Sequence, residues 1–209
     1  MAEAPRRIAT LPDVMSLAKS EAANRYVGAS PTMEEGLHLM ERFATVDLNP
    51  KKGPAQRHMI SQNGGSTTYL VQEDMLVIAE LRDDESLAAQ MTSCTGIVFR
   101  GERNGRAVIG FAHIDPLEGR NMVAAKANRL VKALKAANVT VEEAYVDSDP
   151  DYQSENNALI GGRIRGLDSI ARPAKTDERI LVASSDGIGL LSKTKTGDVA
   201  DKLRWKTLS

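Results

Sequence analysis

The stretch from Met91 to Pro116, MTSCTGIVFRGERNGRAVIGFAHIDP, constrains the fold more than any other part of the chain. Two apolar runs, Ile97 to Phe99 and Ala107 to Ile114, flank the polar, glycine-bearing segment Gly101-Glu102-Arg103-Asn104-Gly105. Short apolar runs joined by turn residues read as a β-hairpin. The sole cysteine, Cys94, opens the first strand, and one of the three histidines, His113, closes the second. A loop over Glu102 to Gly105 sets Cys94 directly opposite His113, with Cβ atoms roughly 4.5–5.5 Å apart on one face. A loop of Asn104-Gly105 alone makes them diagonal neighbours on that face, roughly 7–8 Å apart. An odd-length loop or a bulge sends them to opposite faces.

The rest of the chain must supply a core for this hairpin. Its 209 residues suffice for one ample core. Aromatic residues make up only 4%, so Val, Ile, Leu, Met and Ala carry the packing. A net charge of −1 argues against a dedicated nucleic-acid binder. No apolar run reaches membrane-spanning length, and the start MAEAPRRIATLPD has no apolar secretory core, so a cytoplasmic protein without membrane insertion is expected. One cysteine excludes an intrachain disulfide. Residues 160–209 hold ten Lys/Arg against six Asp/Glu, a solvated basic edge or a contact for an acidic partner.

Before the hairpin, Thr10 to Asp13 resembles a capping box, followed by helical spacing at Val14, Leu17, Ala18, Ala22 and Val27. Ser30-Pro31 opens a second candidate helix, continued by Met33, Leu37, Met40 and Ala44. The breaker run Asn49 to Pro54 then divides a helical N-terminal extension, residues 1–49, from a main domain, residues 50–209. Thr67 to Val71 and Met75 to Leu81 read as strands, and Ser86 to Gln90 as one helical turn. Asp83-Asp84-Glu85 are adjacent and do not converge on one ion, so no metal is assigned to them.

After the hairpin, Val123, Ala127, Leu130, Val131 and Leu134 form the clearest amphipathic helix. Lys126, Arg129, Lys132 and Lys135 face solvent, and Asn138 is its C-cap. Val139 to Val146 reads as a strand, and residues 180–191 as a hairpin turning at Ser184 to Gly187. Strands, a long helix, then strands predict a layered α/β domain with a largely antiparallel or mixed sheet. No dinucleotide fingerprint, phosphate loop or HExxH sequence occurs, so no cofactor is expected.

A cysteine facing a histidine suits nucleophilic chemistry. An imidazolium lowers a thiol's pKa, and one imidazole can serve as acid for departing ammonia and then as base for water. Backbone donors must stabilise the tetrahedral oxygen, with the Cys94 N–H and a neighbouring amide nearest to hand. His113 further needs an orienting acceptor. Thr92 shares Cys94's face by strand parity and is the first choice, and Asp115, on His113's face, is the second. The same cysteine and histidine also suit packed core positions, which leaves a non-catalytic binding or scaffold domain as an alternative.

Ser93-Cys94 entering a strand, His113 in VIGFAHIDP, the long helix and Gly161-Gly162 after an apolar run together resemble the CheD family of chemotaxis receptor glutamine deamidases. The resemblance covers residues 87–191. It implies Cys94 as nucleophile, His113 as acid/base, an αββα-type sandwich, and hydrolysis of a protein glutamine amide to glutamate. The family's threonine, six residues before the cysteine, falls on Ala88 here. Related deamidase toxins extend the implication to a host-delivered effector. A cysteine protease or a transglutaminase-like acyl transferase would use the same pair. The partner implied is a protein substrate whose identity is not in the sequence.

Overall fold

Asn104 and Gly105 both adopt positive φ, 53° and 78°. Asparagine and glycine tolerate that conformation, and it is the one a two-residue hairpin turn requires. The computed structural model describes residues 26–27, 42–49, 58–63, 66–115, 120–148, 167–169, 179–194 and 197–205. Around the Asn104-Gly105 turn, Thr95–Arg103 and Arg106–Ile114 form an antiparallel pair, β7 and β8, in which Arg103 faces Arg106 and Gly96 faces His113. The two-residue loop therefore holds, and residue 94 is diagonal to His113 rather than opposite it. Cys94 lies just ahead of β7, not within it.

The strands preceding the hairpin are β1 (Tyr26–Val27), β2 (Phe43–Asp47), β3 (His58–Asn63), β4 (Ser66–Leu70), β5 (Met75–Ala79) and β6 (Glu85–Met91). One helix, α1 (Arg120–Ala136), follows, and then β9 (Val139–Asp147), β10 (Leu167–Ser169), β11 (Arg179–Ser184), β12 (Gly187–Thr194) and β13 (Gly197–Arg204). They build a seven-stranded sheet in the order β1-β3-β4-β6-β11-β12-β13 and a six-stranded sheet in the order β10-β9-β7-β8-β5-β2. Pairing is antiparallel except between β4 and β6 and between β10 and β9.

Between the sheets lies one apolar cluster, including Tyr69, Leu87, Met91, Val98, Phe111, Leu181 and Trp205. A second cluster, with Leu76, Ile97, Phe99, Ala112, Leu130 and Leu134, lies where α1 covers the outer face of the smaller sheet. Strand parity explains the division. Val98 and Phe111 point one way, Ile97 and Ala112 the other, and both faces are buried. Among the described residues the layers are sheet, sheet and a single long helix. This is a mixed, largely antiparallel architecture, and the outer helical layer of an αββα sandwich is not among them.

Several sequence expectations need correction. Ser86 to Gln90 is no helical turn but part of β6, wedged between β4 and β11 with Leu87, Ala88 and Ala89 buried. Its alanines favour a helix locally, and burial on both faces of a sheet overrides that preference. Ala44 does not extend a helix, since Phe43–Asp47 pairs with β5. Val27 likewise lies in β1, paired with β3. The two strands before Pro50 thus pair with strands after it. Lys126 does not face solvent: it is fully buried and lies 2.7 Å from the Asp74 carboxylate. The helical stripe and its Asn138 cap, at φ 53°, are as expected. The helices expected over 10–22 and 30–40 and the Gly161-Gly162 pair lie outside the described residues.

Candidate active site

Four backbone segments converge at one end of the space between the sheets: the 71–74 turn between β4 and β5, residues 92–94 ahead of β7, the end of β8, and the start of β11. In the 71–74 turn, Val71 anchors its N–H on the Ala88 carbonyl at 2.8 Å, and Asp74 adopts φ 61°. From β8, His113 extends to the same face as Ile109 and Phe111, the face that lines the inter-sheet core. Opposite it, Gly96 lets Leu181 and Met91 pack against the backbone, since a Cβ there would stand 2.7 Å from Leu181 and 2.9 Å from the Met91 sulfur.

His113 is 5% exposed, and its Nδ1 lies 3.1 Å from the Val71 carbonyl oxygen. A carbonyl only accepts, so Nδ1 carries the proton and Nε2 presents a lone pair. Nε2 is buried and has no hydrogen-bond partner among the described residues. Burial lowers the imidazole pKa below the ordinary 6.5, outweighing the Val71 bond and the carboxylates of Asp74 and Asp115, which favour the charged form. The ring is thus a neutral base of fixed tautomer.

Cys94 is buried within the inter-sheet cluster. Its Sγ lies 3.9 Å from Glu73 Oε1. Burial, then Glu73 and Asp115, push the thiol up to about 12, against a smaller opposite pull from Arg179. The sequence expectation of a thiol activated by imidazolium reverses at rest. The histidine is too buried to take up a second proton, and the cysteine too buried, with carboxylates too near, to lose its own.

Thr92, the first choice for orienting His113, does not bond either ring nitrogen. Nδ1 is taken by Val71, and Nε2 has no partner among the described residues. Thr92 is instead exposed, and its carbonyl accepts from the Arg179 guanidinium. Asp115 is half-buried, and its N–H donates to Asp74 Oδ1 at 3.1 Å. The Val71 carbonyl carries no sequence signal, because a backbone acceptor looks alike in every residue.

Two buried ion pairs brace these segments. Lys126 of α1 lies 2.7 Å from Asp74 Oδ1 and donates to the Asp115 carbonyl at 2.9 Å. Asn49 donates to Asp74 Oδ2 at 3.0 Å. Burial works to raise the Asp74 carboxyl, yet the bonds from Lys126, Asp115 and Asn49 hold it below its ordinary 3.8. Arg179 of β11 lies 3.0 Å from Asp147 Oδ2 and donates to the Cys94 carbonyl at 2.9 Å. Among the described residues, Glu73, Cys94 and Asp115 form one group whose ligand atoms lie within 4.8 Å of one another. One sulfur and two carboxylates are a donor set for a thiophilic divalent cation. They are also acidic neighbours that hold the thiol protonated.

No protein-family model matches the chain, and neither does any curated protein sequence. Among solved structures, the chain is similar to the C-terminal domain of CNFy from Yersinia pseudotuberculosis, at 10% identity and a TM-score of 0.35, over 78% of this chain and 73% of that one. So loose a likeness settles neither fold nor chemistry, and both rest on the residues above. The fold and site together define a two-sheet α/β protein with a buried cysteine, acidic neighbours and a neutral histidine. No helix among the described residues is long and apolar enough to cross a membrane.

Proposed function

We propose that this protein is a cysteine-dependent amidohydrolase that converts a glutamine side chain of another protein to glutamate. The observation that carries the reading is His113. Its Nδ1–H is spent on the Val71 carbonyl, and its buried Nε2 lone pair has no partner among the described residues. By strand parity with Phe111 it faces the inter-sheet core, and the chain's sole cysteine belongs to that core cluster. An unpartnered buried acceptor costs about 1–3 kcal/mol, a cost that a passing proton or a bound substrate would relieve.

The resting thiol and imidazole are both neutral, so the mechanism is general-base attack rather than a preformed ion pair. As Sγ bonds to the carboxamide carbon, its proton passes to Nε2, and the carbonyl oxygen takes the negative charge. His113 then returns that proton to the amide nitrogen, the C–N bond breaks, and ammonia leaves a thioester. Water attacks the thioester, giving its proton to Nε2, and the glutamate carboxylate departs as the thiol is restored. Resting separations in such sites are commonly longer than reactive ones and tighten with substrate bound. The Val71 carbonyl takes the orienting role first assigned to Thr92.

The test incubates wild-type and Cys94→Ser protein with a panel of cell lysates and reads peptides by mass spectrometry. Glutamine-to-glutamate conversion, a gain of about one dalton with the backbone intact, is expected for wild type alone. Equal conversion with both proteins rejects the mechanism, and backbone cleavage moves the reading to a protease. A second reading, a binding domain with an inert cysteine, draws on the thiol's pKa of about 12. It requires Cys94→Ser to leave every activity intact.

A further inference from the structure

Arg179 contributes one of the largest fully buried side chains described, and none of the expectations drawn from the sequence uses it. It lies 85 residues from the cysteine along the chain, in the basic C-terminal portion that read as a solvated edge. Its Nε donates to Asp147 at the end of β9, Nη1 to the Thr92 carbonyl, and Nη2 to the Cys94 carbonyl. A guanidinium is rigid and planar, so three acceptors on one fork fix their relative positions in a way a lysine cannot. Asp147 faces Gly96 across the β7–β9 pair, so the fork ties β11 of one sheet to the start of β7 in the other.

The consequence is for the backbone that carries the nucleophile. The chain bends at residues 92–93, and the Thr92 and Cys94 carbonyls on either side both turn onto Arg179. In a trans peptide the C=O and the following N–H point in opposite directions. With the Thr92 carbonyl drawn to the guanidinium, the Ser93 N–H is directed away from it. A donor of that kind, fixed before substrate arrives, is what a developing oxyanion needs.

We propose that Arg179 is a positioning residue for Cys94: by gripping the two carbonyls it presets the Ser93 N–H as a donor to the oxyanion formed on the substrate carbonyl. The inference rests on Cys94 being the nucleophile of the amidohydrolase reading. Asp147 supports it by holding the fork in place. The smaller pull of Arg179 in favour of the thiolate is consistent with this placement.

The experiment compares two electrophiles on the intact protein. A glutamine-derived chloromethyl ketone alkylates a thiol through a tetrahedral adduct that oxyanion donors stabilise, whereas iodoacetamide needs only thiolate and access. The ratio of the two labelling rates at Cys94 is measured against the same ratio for N-acetylcysteine. Wild type should exceed the free thiol by about 100-fold or more, the size of effect one oxyanion donor commands. Arg179→Lys should lose most of that excess while changing the iodoacetamide rate little. Should Arg179→Lys fail to fold, the pair Arg179→Met with Asp147→Leu replaces both charges by apolar groups of similar size and should show the same loss in folded protein. A raised wild-type ratio that survives in a folded Arg179 variant overturns this inference and leaves the nucleophile in place. A wild-type ratio equal to that of N-acetylcysteine overturns both.

Discussion

At the scale of single residues, the site depends on burial acting in opposite senses on two groups. Burial keeps His113 neutral and Cys94 protonated, and each has a consequence for stability against pH. The histidine binds its proton more weakly folded than unfolded. Stability should therefore fall as pH drops below the ordinary 6.5, until the folded ring also titrates. The cysteine holds its proton more tightly folded, so stability should fall again above the ordinary 9.0. Chemical denaturation between pH 5 and 10, compared for wild type, His113→Gln and Cys94→Ala, checks both: each variant should flatten its own limb of the profile. Lys126 gives a second prediction. Lys126→Met leaves the Asp74 carboxylate buried without its ammonium partner, at a cost of about 3–5 kcal/mol by urea unfolding. Adding Asp74→Asn, which tolerates the positive φ and removes the charge, should recover much of that loss. An equal loss in the double variant would contradict the ion-pair account.

At the scale of elements, the hairpin was the most legible part of the chain. Asn104-Gly105 states its turn, and parity alone carries His113 to the inter-sheet face. Gly105→Val should be destabilising by about 1–2 kcal/mol in thermal unfolding, since a β-branched residue is poorly suited to φ 78°. An unchanged midpoint would mean the turn tolerates another conformation. What the sequence hid has physical reasons. Ala88-Ala89 looked helical because the partners that make β6 an interior strand, β4 and β11, are brought to it only by the tertiary fold. Lys126 borders the apolar stripe of α1, and its charge argues for solvent unless a buried partner such as Asp74, 52 residues earlier in the chain, lies beneath it. Arg179 and the Val71 carbonyl were invisible for a related reason: they reach the site from segments 85 and 42 residues away, and one of them is backbone. β2 shows the same dependence on distant partners. It closes one edge of the smaller sheet, and Arg42, just before it, pairs with Glu85 and bonds the Glu80 carbonyl. Deleting residues 1–49 should therefore lower the unfolding midpoint as well as alter any target choice, and an unshifted midpoint would make the segment a mere appendage.

At the scale of the whole molecule, the two sheets and the helix among the described residues gather Cys94 and the end of β8 at one end of the inter-sheet space. Cys94 belongs to the inter-sheet core that His113 faces by strand parity, and the two buried ion pairs tie that end to α1 and to β11. If His113 serves as the base for Cys94, its removal should slow the thiol's chemistry even without substrate. Iodoacetamide labelling of Cys94 is followed at pH 7.5 in wild type and in His113→Gln, with unfolding midpoints recorded for both. Gln keeps an N–H to offer Val71 but has no basic nitrogen. The labelling rate should be lower by about 100-fold in the folded variant, at the lower end of what a positioned base contributes. Equal rates in two folded proteins would contradict it and leave Cys94 a packed core thiol.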